Sequence, residues 1–303
     1  VDYTARVSDS SLARVHYVLR LDASKPLPQV DIDALNDNIV EATRTWDEDF
    51  SDAAISSLGE EAAAPIRTAY AHAFPTAYRE DFQVSQALAD LRNLQSLTDP
   101  ESTAFALYKP RGGDASLRRF KIFRRSPISL TRVLPLFTHM GLEVVDERPY
   151  EVSRADGTPL HVYDFGLRAP DRLWDALPHA QLRELFESAV AAVWDRRAES
   201  DDLGALVLQA HLDWRQVLVL RAITKYVRQT QSTFSEPYLH AALVHNRAIA
   251  ADLVALFAAR FDPDHVGDRD AAQQEILDRI AAALDEVSSL DEDRIIRACR
   301  GVI

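Results

Sequence analysis

Two arginines and two hydroxyls converge on one short stretch, Arg124-Arg125-Ser126-Pro127, which leads into a helix start at Ser129. Guanidinium forks and the open amides of a helix N-terminus both favour a carboxylate or another anion. Arg124, Arg125, Ser126 and Ser129 are therefore the candidate effector-binding residues. The plainer alternative is a capped helix flanked by solvated arginines.

Other polar clusters offer less. Asp47, Glu48 and Asp49 are consecutive, so their side chains point apart, and a solvated or arginine-paired role is expected. His240 and His245 are five residues apart, whereas two zinc ligands on one helix face need a spacing of four. Asp262, Asp264, Gly267 and Asp268 imitate a calcium loop, but Val266 and Gln273 stand where ligands are needed, so an Asp-capped turn is expected. Asp146, Glu147 and Asp164 suggest an acid–base pair. Strand alternation separates Asp146 from Glu147, and with Arg148 adjacent the better reading is ion pairing across a sheet. Cys299, the single cysteine, lies in a helical pattern and is expected to be packed rather than nucleophilic. The nine glycines are scattered, with only Gly112 and Gly113 adjacent, so no phosphate loop or dinucleotide fingerprint is present. Nor is there a nucleophile elbow. No catalytic, metal-binding or cofactor-binding residues are assigned.

The elements that must position these groups fall into a helical–sheet–helical order. Residues 14–21 alternate as a strand, whose partner is expected before Val1. Asp31 or Asp33 caps a helix ending near WDEDF. A second helix runs from Ser51 or Ser57 to about Phe74, kinked or split at Pro65. A third is capped by Thr76 and carries Phe82, Leu88, Leu91 and Leu94. Residues 103–168 then read as strand, hairpin, strand, helix, strand, hairpin, strand, with Ser129 capping the helix and Gly141 closing it. Beyond Pro170 the pattern is helical. Asp202, Asp213, Ser235, Asn246 and Asp268 are placed at helix starts, and Ser289-Leu-Asp-Glu292 is a capping box. The fold class is α+β and mostly α: a small antiparallel module of ββαββ type flanked by helical regions. The divisions expected are 1–30, 31–102, 103–168 and 169–303.

A length of 303 residues suggests two or three domains. No run of about 18 apolar residues and no signal peptide are visible, and one cysteine fits a reducing, cytoplasmic compartment. A net charge of −13 argues against nucleic acid and anionic membrane as partners. Residues 103–168 hold eleven Lys/Arg against seven Asp/Glu, a net of +4 that leaves −17 for the rest. This basic module among acidic helices invites domain docking or an anionic effector. A start at Val1 and a helical end, DRIIRACRGVI, suggest a piece of a longer polypeptide.

Several strings resemble the large bacterial NAD-specific glutamate dehydrogenases: TWDEDF at 45–50, RFKIFR at 119–124 and LTRVLPLFTHMGLEVVDERPYEV at 130–152. HVYDFGLR at 161–168, LDWRQVLVLRAITKYVRQ at 212–229 and SLDEDRIIR at 289–297 extend the likeness over nearly the whole chain. The resemblance implies a segment N-terminal to the catalytic domains, in which residues 103–168 are an ACT-like module and residues 1–30 bring the terminal strand of a preceding one. It also implies a parent enzyme that oxidises L-glutamate with NAD and water to 2-oxoglutarate, ammonia and NADH. The segment itself is expected to be inactive and to need no cofactor. Its expected partners are the catalytic domains of the same polypeptide, further copies of the chain, and an amino-acid or carboxylate effector. The alternative is a purely structural spacer that binds no ligand.

Overall fold

Asp2–Arg6 (β1) and Arg14–Val18 (β2) pair antiparallel, with Tyr3 opposite Tyr17 and Ala5 opposite Val15. The strand expected at 14–21 is thus shorter in its described part, and its partner lies within the chain rather than before Val1. The computed structural model describes residues 2–6, 14–18, 31–112, 114–170, 173–230 and 233–303. Leu19, Leu21, Pro26, Pro28 and Gly113 lie outside the described residues. The chain divides into two compact units, residues 1–49 and 50–303.

In the first unit Asp31 opens helix α1 (Ile32–Thr43), its carboxylate accepting from the amides of Asp33 and Ala34. WDEDF does not end that helix; it begins the next, α2 (Trp46–Leu58). Thr45 and Glu48 explain the difference. Glu48 accepts from the Thr45 amide at 2.7 Å, and its own amide donates to the Thr45 hydroxyl at 3.3 Å, which is a capping box. Acids in that first turn also suit the positive end of the helix dipole. Asp49 pairs with Arg44 at 2.6 Å, the arginine-paired role expected of it.

The break expected at Pro65 falls instead at Gly59, whose φ of 83° no helix accommodates. Pro65 sits inside the following helix, α3 (Glu60–Tyr70). The single helix expected after Thr76 is two, α4 (Thr76–Asp81) and α5 (Val84–Gln95), parted by extended backbone at Phe82 and Gln83.

The module follows as β3 (Thr103–Tyr108), β4 (Leu117–Arg124), α6 (Leu130–His139), β5 (Glu143–Ser153) and β6 (Pro159–Arg168). The strands form one antiparallel sheet in the order β3-β4-β6-β5, so the ββαββ reading holds. Gly141, with φ 75°, closes α6 as expected. Ser129 is the N-cap residue, but its hydroxyl bonds Thr131 instead of a helix amide.

One face of the sheet packs on helices. Phe120 stacks on Phe105 at 5.7 Å and meets Phe137 and Phe186 edge-on at 5.6 and 5.3 Å. Phe186 belongs to α7 (His179–Trp194), whose Glu187 accepts the Leu107 amide at 2.7 Å. That contact satisfies a donor on edge strand β3. The hydrophobic core continues without a break from Leu107 to Ile303, so the sheet and the later helices share it.

Those later helices are α8 (Leu206–Gln209), α9 (Trp214–Gln229), α10 (Glu236–His245), α11 (Arg247–Phe261), α12 (Arg269–Leu284) and α13 (Leu290–Val302). Asp213 caps α9 with a full capping box through Gln216, and Asp268 caps α12. Asp201, not Asp202, caps the 3-10 turn Asp202–Ala205 before α8. Ser289 accepts from the Glu292 amide, but Glu292 turns away to His245 and Asn246, so the last box is half formed.

His240 is buried beside Thr224, and desolvation holds its pKa below the ordinary value, against the pull of Asp201 and Glu236. It is therefore neutral in the fold. In the unfolded chain it takes a proton below about pH 6.5, so stability is retained above that pH and lost as pH falls through it. Urea melts at pH 7.5 and 5.5 are expected to show a smaller loss for His240→Gln than for the wild type. An equal loss would contradict this assignment.

A charged cleft between the sheet and the preceding helices

The four residues expected to bind an effector are placed together but engaged locally. Arg124 is buried, lies over the Trp194 ring at 5.5 Å and reaches Glu101 at 3.3 Å. Arg125 donates to the Thr98 carbonyl at 3.1 Å, and Ser126 to that of Pro100 at 3.2 Å. These bonds fasten residues 98–101 to the end of β4. Nε of Arg124 is buried and has no hydrogen-bond partner.

The other face of the sheet holds most of the polar chemistry. Alternation along β4 sends Phe120 and Ile122 toward α6 and α7, and Arg119 and Lys121 toward α4 and α5. Lys121 is fully buried and pairs with Asp90 of α5, itself 1% exposed. Asp90 also accepts from the Tyr78 hydroxyl at 2.6 Å and from the Gln86 side-chain amide at 3.2 Å. The Lys121 ammonium sits 3.7 Å from the centre of the Phe82 ring, a cation–π contact.

Beside this pair lies a second network. Asp164, opposite Lys121 on β6, accepts from the Tyr108 hydroxyl at 2.7 Å and from Arg119 Nε at 2.9 Å. Arg119 also reaches Asp146 on β5 at 2.8 Å. The ion pairing expected for Asp146 and Asp164 is therefore present, with Arg119 as the partner. Arg148 turns to Asp81 at 2.9 Å. Burial raises the Asp164 pKa against Arg119 and Lys121, and it raises that of Tyr108, with Asp164 adding to the effect. Burial works against the charge of Arg119, but Asp146 and Asp164 outweigh it and hold its pKa up. Gly166 makes room for this arrangement, since a Cβ there would lie 3.1 Å from Asp146 Oδ2.

Above these groups opens a cleft of about 540 Å³, with Phe82, Tyr108 and Leu117 among its walls and Arg119, Asp146 and Asp164 in its lining. The size is that of a small-molecule site. Of the polar groups on this face, sequence reasoning reached Asp146, Asp164 and Arg148 but missed Arg119 and Tyr108 in the cleft and the buried Lys121–Asp90 pair beside it. Asp90 did leave a signal, standing on the α5 stripe of Ala87, Leu91 and Leu94 where an apolar side chain is normal.

The remaining candidates are structural. His240 and His245 go to separate neighbours, Thr224 and Glu292. Asp262 accepts from the Asp264 amide as a turn. Cys299 is buried, which pushes its thiol up to about 12. Among the described residues no group of three or more His, Cys, Asp or Glu could hold a metal ion, and no single helix is long and apolar enough to cross a membrane.

Comparison with known proteins places this architecture. Family models match in sequence: glutamate dehydrogenase ACT2 domain at residues 1–47, helical motif 2 at 53–97, ACT3 domain at 102–181 and helical motif 3 at 198–263. The four-stranded module falls in the ACT3 match, and its cleft is lined from both that match and helical motif 2. The NAD-specific glutamate dehydrogenase of Halomonas elongata is 35% identical over 298 residues, covering 98% of this chain and 18% of that protein. That of Pseudomonas aeruginosa is 33% identical, covering 96% and 18%. That of Mycobacterium tuberculosis is 34% identical, covering 100% and 19%. The chain thus spans less than a fifth of the length of the curated relatives it matches, and across that span it belongs to the NAD-specific glutamate dehydrogenase family.

Proposed function

We propose that this chain is a non-catalytic regulatory and assembly segment of an NAD-specific glutamate dehydrogenase, lying before the catalytic domains. The parent protein oxidises L-glutamate with NAD and water to 2-oxoglutarate, ammonia and NADH, and the NAD site belongs to the catalytic region. The observation that carries this reading is the alternation of two ACT domains with two helical motifs along the chain. The charged cleft between the ACT3 and helical motif 2 matches supports a sensing role. The partners are the catalytic domains of the same polypeptide, further copies of the chain, and an amino-acid or carboxylate effector, with Arg124, Arg125, Ser126 and Ser129 as one candidate contact. A cytoplasmic location suits its single, buried cysteine.

A purely structural spacer is the second reading, and one observation favours it: Arg124, Arg125 and Ser126 all bond neighbouring segments of the chain. The absence of catalysis is tested directly by mixing the purified chain with glutamate and NAD and following NADH. No glutamate-dependent NADH formation is expected, and steady turnover would overturn the assignment.

A further inference from the structure

Lys121 is placed as a bound ligand would be. Its side chain is fully buried, yet Asp90 is the one carboxylate it pairs with among the described residues. The rest of the ammonium's surroundings are aromatic. The centre of the Phe82 ring lies 3.7 Å from Nζ, that of Tyr108 at 5.3 Å and that of Tyr78 at 5.4 Å. Three rings and a carboxylate around one cation are the arrangement that holds ammonium ligands in aromatic cages.

The cage is assembled from two parts of the chain. Tyr78 is on α4, Phe82 on the extended link after it and Asp90 on α5, all within the helical motif 2 match. Tyr108 ends β3, and both it and Lys121 lie within the ACT3 match. The walls are fastened by bonds of their own. The Tyr78 hydroxyl donates to Asp90 at 2.6 Å, that of Tyr108 donates to Asp164 at 2.7 Å, and the Tyr78 and Phe82 rings lie 4.7 Å apart. A cage built this way has a shape that does not depend on the lysine that fills it.

The two faces of the sheet meet their helices by different means. The core that runs from Leu107 to Ile303 takes in α6 and α7 on one face and includes none of the described residues of α2 to α5. On the other face, parting α4 and α5 from the sheet draws the Lys121 charge out of its cage. It also leaves Asp90, 1% exposed, without its counter-ion, which is strongly unfavourable for a buried pair.

We propose that Tyr78, Phe82, Tyr108 and Asp90 form a binding site for a primary alkylammonium, occupied by the chain's own Lys121, and that this self-occupied site is the clasp joining α4 and α5 to the sheet. The clasp goes beyond the regulatory reading and holds equally for a structural spacer.

Chemical rescue tests it. n-Propylammonium matches the part of the side chain that Lys121→Ala removes. Calorimetry on the full chain carrying Lys121→Ala is expected to show n-propylammonium binding with a dissociation constant on the order of millimolar. The wild type, whose cage is filled, is expected to show none. The urea midpoint lost in Lys121→Ala is expected to return toward wild type with n-propylammonium, and not with n-propanol, its neutral counterpart, or with sodium chloride. Should Lys121→Ala fail to fold, Lys121→Met fills the same space and carries the test. Phe82→Leu is then expected to raise the unfolding constant about threefold more in the wild type than in the Lys121→Met background, because only the wild type has a cation on that ring. No binding by folded Lys121→Ala, an equal gain from n-propanol, or a Phe82→Leu effect of the same size in both backgrounds would overturn the proposal.

Discussion

Asp90→Ala is expected to destabilise the protein by about 3–5 kcal/mol, because it leaves the Lys121 ammonium buried with no carboxylate to bond. Lys121 is fully buried and Asp90 is its ion-pair partner. The converse variant, Lys121→Met, is expected to cost less. Asp90 then keeps its hydrogen bonds from Tyr78 and Gln86, and the methionine fills the same space against Phe82. The double variant Asp90→Leu/Lys121→Met removes both charges at nearly constant volume and is expected to recover most of the loss, as apolar replacements of buried pairs often do. Denaturant unfolding of the three variants checks the order. A double variant as unstable as Asp90→Ala would show that the pair itself, and not the orphaned charge, sets the stability.

Phe120→Ala is expected to have an effect of similar size, about 3–5 kcal/mol. This ring is fully buried and touches Phe105, Phe137 and Phe186, so its removal opens a cavity between sheet, α6 and α7. Because one continuous core joins the sheet to the later helices, the loss should appear as a single shifted transition in residues 50–303. A separate early transition of the sheet alone would contradict that continuity. The same continuity makes point substitutions a cleaner probe of residues 103–168 than excision, which would uncover Phe186 and Trp174 of the helical side.

Much of the fold is legible in the residues, and the reasons are local. Asp213 with Gln216, Asp268, and Gly141 with its positive φ each act within a few residues of themselves. The strands of the module alternate strongly because one face meets α6 and α7. WDEDF is misread because acids gather at helix starts while a preceding apolar stripe makes them look like an end. The signal that settles it, Thr45 three residues before Glu48, is present in the sequence. Pro65 distracts from Gly59, since a proline early in a helix costs less than a positive φ within one. The candidate site is less legible. Arg119 and Lys121 alternate with Phe120 and Ile122 as solvated residues would, and nothing nearby reveals that α4 and α5 cover that face. Arg124 and Arg125 look available in sequence, yet their partners, Trp194 and the segment 98–101, lie far along the chain or across a turn.

The sensing role proposed for this segment requires a metabolite response in the parent dehydrogenase that depends on residues of the segment. The most direct measurement is the initial rate of glutamate-dependent NAD reduction by the full-length enzyme, taken with and without L-alanine, L-serine and L-glutamine in turn. It is repeated in the Asp146→Asn and Arg124→Ala backgrounds. At least one amino acid is expected to alter the rate about fivefold or more, and this ratio is expected to collapse toward one when its contact in the segment is removed. A rate indifferent to every amino acid, or a response that survives both substitutions, would rule a sensing role at these residues out.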